Sequence, residues 1–198
     1  GRESDKPIKQ AWDITALDNG FLHAKNKDKM KFCLIWEAAN GATPVDSDAF
    51  RNYFVPYWME YYFSNPSYMT IENKVVFAVF GADSLISKFG TGLKAEFDYL
   101  REEVKKLGFD GAIILDCNSY RTEGSAAYGF DGWYAYNWGQ QGCYYEANVN
   151  LNRKAKEDND VYTIPTVSSG FNAIGWHGVR TTVMTAVDFK KTNEWVRD

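Results

Sequence analysis

At 198 residues the chain is long enough for one domain with a full core. Its net charge of −4, with no basic block, argues against a nucleic-acid partner, and no apolar run approaches the roughly 18 residues a membrane helix needs. Aromatic residues make up 17% of the chain, a share that a large aromatic core absorbs and that also suits a ligand with broad apolar faces, such as a sugar ring.

Asp13 can cap a helix over residues 13–27, where Ile14, Leu17, Phe21 and Leu22 fall at helical spacing. Residues 25–31 are basic and read as a solvated loop. Residues 32–36 are apolar in both directions, which predicts a strand buried on both faces. Glu37 follows at its C-terminal end. Asp46 or Ser47 can start the next helix, in which Phe50, Tyr53, Phe54, Tyr57, Trp58, Tyr61 and Tyr62 form one wide aromatic stripe. Core packing is the simpler reading of that stripe and a ligand platform the other. Pro56 predicts a kink, and Ser64-Asn65-Pro66 an end.

Beyond it, residues 68–71 are extended, Glu72-Asn73-Lys74 turns, and residues 75–80 read as a buried strand. Residues 81–90 form a loop with room for a short helix. Thr91 can cap a helix reaching Leu107, with Leu93, Phe97, Leu100, Val104 and Leu107 inward. Lys94, Glu96, Arg101, Glu102, Lys105 and Lys106 fall on its outer face. A repeated phrase comes next, Gly108-Phe109-Asp110-Gly111 and Gly129-Phe130-Asp131-Gly132. Each copy is a tight turn feeding an apolar run, residues 112–115 and 133–136. Residues 144–157 make a weak helix, 161–167 a further strand and 188–196 the last helix.

About five strands alternating with helices predict an α/β fold of parallel strands, TIM-barrel-like and possibly incomplete, since a full (β/α)8 barrel takes about 250 residues. The expected organisation is a single barrel-like domain over residues 1–198, cut from a longer protein. Its open sheet edges are expected to self-associate or to be covered by loops.

In such folds ligands sit at the C-terminal ends of the strands. The residues just past the strands include Trp36, Glu37, Gly81, Asp83, Asp116, Asn118, Asn137, Trp138, Ser168 and Ser169. They hold carboxylates, amides, hydroxyls and indoles, and no cation, which suits a neutral polyhydroxylated ligand better than a phosphate. Trp176 is a further candidate lid. Glu37 and Asp116 are the weak catalytic candidates, because glycoside hydrolysis uses two carboxyl groups flanking one bond. Capping and packing are the alternative roles for each residue. Asp110 and Asp131 precede their strands and belong to the supporting end. Cys33, Cys117 and Cys143 lack metal-type spacing and an even count, so free thiols in or beside strands are expected. His23 and His177 are too few and too distant for a histidine metal site. No cofactor and no metal are expected.

The ordered set Phe32-Cys33-Leu34-Ile35-Trp36-Glu37, Tyr61-Tyr62-Phe63, Pro66, Tyr68 and Asn73-Lys74-Val75-Val76 resembles the glycoside hydrolase family 99-like (WbsX-type) proteins. Asn73 and Val75 stand where that family has Gly and Pro. Gly129-Phe130-Asp131-Gly132 with Tyr136-Asn137, and residues 164–172 with Trp176, extend the resemblance over most of the chain from about residue 30. It implies a metal-independent (β/α)8 barrel acting on glycans, often α-mannosides, in a periplasmic, cell-surface or secreted setting. The family's catalytic pair lies in a strand motif like W-N-E-W-x-E. Here only Asn193-Glu194-Trp195 imitates it, inside a helical pattern. The expectation is therefore a glycan-processing domain that acts on or binds a neutral glycan, with a non-catalytic carbohydrate-binding or scaffold domain as the alternative.

Overall fold

The structure is a computed structural model, and it describes residues 8, 15–39, 43–117, 124–138, 143–170 and 183–198. The chain divides into two compact units. The first comprises Gly1–Asp116 and Ala127–Phe130, the second Cys117–Ala126 and Asp131–Asp198. The chain is α/β with parallel strand pairing.

In the first unit, β1 (Leu34–Glu37) pairs in parallel with β3 (Lys74–Phe80), with Glu37 opposite Phe80. A short β2 (Thr70–Ile71) folds back antiparallel onto β3. The turn between them carries positive φ at both Glu72 (49°) and Asn73 (57°), the backbone of a tight two-residue hairpin. β4 (Gly111–Cys117) lies on the other side of β3. The amide of Asp110 donates to the carbonyl of Asn73 at 2.9 Å, so β4 begins level with the start of β3.

Alternation along these strands separates two faces. Leu34, Trp36, Val75, Phe77, Val79, Ala112 and Ile114 share the face that packs on the aromatic core. The opposite face takes Ile35, Glu37, Val76, Ala78, Phe80, Ile113, Leu115 and Cys117. Ile35 is 49% exposed, so β1 is not buried on both faces as its apolar run predicts.

The core side is covered by α1 (residues 47–63), whose aromatic residues form the predicted stripe: Phe50, Phe54, Tyr57, Trp58 and Tyr62 are buried, and Tyr61 is exposed. Asp46 is the cap, its carboxylate accepting from the Ala49 amide at 2.8 Å. The helix is not α throughout. Phe50–Phe54 and Met59–Phe63 are π-helical, and Val55–Trp58 between them is α. Pro56 stands where the winding returns from π to α. The wider turn beside it accommodates the absent N–H.

After β3, Gly81 opens α2 (Ala82–Phe89), a full helix where sequence allowed only a short one. A 3₁₀ turn over Gly90–Gly92 leads into α3 (Leu93–Lys105). Thr91 does not cap α3; the cap position is Gly92, with no side-chain bond. Leu93, Phe97, Leu100 and Val104 are buried as predicted. Leu107 lies past the helix end and is exposed. Gly108 follows with φ +90° and ends the helix. The predicted helix over 13–27 is instead a turn over 15–20 and two isolated 3₁₀ turns, Phe21–His23 and Lys27–Lys29. Gly20 leaves helical geometry, and Ala24 is extended.

In the second unit, β5 (Gly132–Tyr134) and β6 (Tyr162–Thr163) pair in parallel, with Trp133 opposite Thr163. α4 (Tyr145–Asp158) and α5 (Ala186–Arg197) pack on each other. Trp133, Ala135, Trp138 and Ala155 form a second, smaller core. The predicted strand over 161–167 keeps only two paired residues. The Ile164 amide still donates to the Trp133 carbonyl at 2.8 Å, but Pro165 has no amide to donate, and the chain beyond it takes its partners from elsewhere.

Those partners are asparagines of α4. Asn152 holds the backbone of Thr166 from both sides: its Oδ1 accepts from the Thr166 amide at 2.8 Å, and its Nδ2 donates to the Thr166 carbonyl at 3.0 Å. Asn148, one turn earlier, donates to the Ser168 carbonyl at 3.4 Å. Both asparagines are buried. They supply side-chain bonds where a neighbouring strand would supply backbone ones.

Candidate functional site

Of the sequence-predicted site residues, Trp36, Glu37 and Asp116 lie in the first unit, and Asn137, Trp138 and Ser168 in the second. Asn118 and Trp176 lie outside the described residues.

Glu37 ends β1 on the face turned away from the aromatic core and is partly exposed. One oxygen accepts from the Ala39 amide at 3.1 Å. The ladder with β3 continues one residue further, through the Ala38 amide to the Phe80 carbonyl at 2.8 Å. The Thr43 hydroxyl donates to the Ala38 carbonyl. Gly81, at the end of β3, has φ +75°, and a Cβ there would stand 3.0 Å from the Cβ of Ala39. The absent side chain lets the two post-strand segments lie against each other beside Glu37.

Trp36 is differently placed. It is 8% exposed, and its ring packs among Phe50, Phe54, Trp58 and Phe77 with centroids 5.0–6.3 Å apart. Its indole is a core side chain. Trp138 is 6% exposed; its ring lies 5.8 Å from Trp133, and its Nε1 donates to the Thr166 carbonyl at 3.1 Å. Packing and a backbone bond account for both indoles, in place of an open sugar platform.

Asp116 is fully buried and continues the alternation of Ala112 and Ile114, on the core side. Glu37 and Asp116 therefore project to opposite faces of the β1-β3-β4 sheet. They do not form a pair flanking one bond. Asn137 is partly exposed. Ser168 is 4% exposed, and its hydroxyl has no hydrogen-bond partner among the described residues.

The Asn193-Glu194-Trp195 triplet is helical, within α5. Glu194 is exposed and faces Lys190 at 3.8 Å, and the Arg153 guanidinium sits 5.9 Å from the Trp195 ring.

A buried carboxylate outside the strand ends escaped sequence reasoning. Glu96, assigned to the outer face of α3, is 4% exposed. It accepts from Arg51 Nε at 2.9 Å, from Arg51 Nη2 at 3.0 Å and from the Ser47 hydroxyl at 2.8 Å. The hydrogen bond to Glu96 raises the Arg51 pKa further above its ordinary value. The signal was present: position 96 is three after Leu93 and four before Leu100, on the buried stripe. Its partners are all protein groups, which makes this cluster a clamp between α1 and α3.

Among the described residues, no group of three or more His, Cys, Asp or Glu is placed to hold a metal ion, and no helix is long and apolar enough to cross a membrane. Cys33 is exposed, and Cys117 and Cys143 are buried. A scan against protein-family models found no match, and searches of the curated proteins and of the solved structures found none either.

Proposed function

We propose that the chain is a binding domain for a neutral oligosaccharide or polysaccharide, α-mannosides among them, built as a partial (β/α) barrel of the family 99-like kind. The observation that carries this reading is the placement of Glu37. It is a partly exposed acidic residue at the C-terminal edge of the parallel strands, on the face away from the helix-packed core. That edge is where α/β folds place their ligands. A carboxylate oriented by a backbone amide is suited to accept hydroxyl hydrogen bonds from a sugar.

Binding fits the carboxylates better than hydrolysis does. Glycosidases place two carboxyl groups about 5–9.5 Å apart across one bond, whereas Glu37 and Asp116 take opposite faces of one sheet. The test is calorimetric titration with mannan fragments and other neutral oligosaccharides, together with an assay for reducing-sugar release. The expected result is saturable binding without release, weakened roughly tenfold by Glu37→Gln. If no neutral glycan binds, the reading is wrong. If one binds and Glu37→Gln leaves its affinity unchanged, the site is misplaced. Sugar release by the wild-type chain would overturn the binding-only reading in favour of hydrolysis.

A further inference from the structure

We propose that a cleft at the opposite end of the first unit's sheet binds a small organic anion with an apolar body, such as an aryl or short-chain carboxylate. The cleft has a volume of about 300 Å³, the lower end of the size that holds small ligands. It is built from segments that precede the strands: the approach to β1, the end of α1 and the turn into β4. It therefore stands at the N-terminal edge, a strand length from Glu37.

Its lining mixes polar and apolar groups and carries charge of one sign. Among the described residues, Phe63, Pro66, Leu107 and Phe109 supply apolar walls, Ser64, Asn65, Tyr68 and Thr70 add polar groups, Lys31 is the one charged residue, and no carboxylate lines it. Lys31 Nζ is already fixed at the rim by a 2.6 Å bond to the Pro66 carbonyl. An ammonium has three donors, so two remain for a ligand. The Asn65 side-chain oxygen accepts from the Ser67 amide at 2.9 Å, and its NH₂ group has no partner among the described residues. A cation and an amide donor beside apolar walls match a carboxylate head on an apolar body.

Two residues at the wall set this place apart from ordinary core. Leu107 lies beyond the end of α3 and is exposed. Phe109 comes from the first copy of the repeated phrase and is only partly buried, whereas its counterpart Phe130 is 4% exposed and packs on Phe97 at 5.1 Å. The floor is rigid. The Tyr68 hydroxyl accepts from the Leu34 amide at 3.2 Å and donates to the Val76 carbonyl at 2.7 Å, locking the start of β1 to β3.

The experiment is an NMR titration of the full chain with phenylacetate, using phenylacetamide as the neutral probe of the same shape. Phenylacetate is expected to bind saturably and roughly tenfold more tightly than phenylacetamide, with shifts centred on Phe63 and Phe109. Lys31→Met should erase that preference, and Leu107→Glu should abolish binding of the anion. Both positions are exposed, so both variants should keep the wild-type spectrum elsewhere. Absence of saturation, equal affinity for the two probes, or an unchanged preference in Lys31→Met would each overturn the proposal. Glu37→Gln should leave phenylacetate binding intact, which separates this site from the glycan site.

Discussion

Replacing Glu96 by leucine removes the acceptor of three hydrogen bonds, two of them from a guanidinium. Breaking a fully buried ion pair costs about 3–5 kcal/mol, because a charge is stranded. Here the side chain left behind, Arg51, is 39% exposed, so water can take it back. The cost is accordingly below that range, about 2 kcal/mol, with up to ~1 more for Ser47. Replacing both partners, as in Arg51→Met with Glu96→Leu, strands no charge and should recover about half of the loss. Urea unfolding followed by tryptophan fluorescence reads Glu96→Leu, Arg51→Met and the double variant, compared at unchanged m. A Glu96→Leu loss below ~0.5 kcal/mol would class the pair with ordinary surface ion pairs. A double variant that loses the sum of the singles would mean that the two residues act independently. Either result refutes the clamp.

Two further outcomes are expected. Gly108 and Gly129 occupy the same place in the repeated phrase, with φ of +90° and +91°, but a Cβ at Gly108 meets nothing within 4 Å, and one at Gly129 would stand 2.9 Å from the Cα of Lys94. Gly108→Ala should therefore cost about 1–2 kcal/mol of backbone strain, and Gly129→Ala roughly 1–3 kcal/mol more for the clash, in matched thermal melts. Asn152→Leu leaves the Thr166 amide unsatisfied, at about 1–3 kcal/mol, while Trp138 Nε1 still donates to the Thr166 carbonyl, and hydrogen exchange should show the Thr166 amide losing its protection.

Legibility in the sequence followed periodicity. The β3 and β4 runs, the aromatic stripe of α1 and the apolar positions of α3 through Val104 were all readable, because burial repeats at a spacing the side chains reveal. The supporting role of Gly108 was readable too, since a helix that stops before a strand needs a residue tolerant of positive φ. What escaped was set by partners distant in sequence. Nothing near Glu96 announces that Arg51 and Ser47, some 45 residues earlier, will face it. The run after β6 carries strand-like residues, yet its bonding is captured by Asn148 and Asn152. Trp36 and Trp138 follow the rule for strand-end positions, but an indole at a strand end can turn inward, and these two do. Alternation also set Asp116 apart from Glu37, a distinction that appears only once the register of β1 and the helix-covered face are known.

The thiol pattern gives β1 a practical handle. Cys33 is exposed, whereas Cys117 and Cys143 are buried, and partial burial pushes the Cys33 thiol pKa up, so a maleimide dye should attach at one position under native conditions, faster as the pH is raised. Alternation places Cys33 on the same side of the strand as Ile35 and Glu37. From 33 to 37 the chain covers roughly 13 Å at about 3.3 Å per residue. An environment-sensitive fluorophore there would look along the strand toward Glu37, and its emission would report whatever settles at that edge, independent of any assay for turnover.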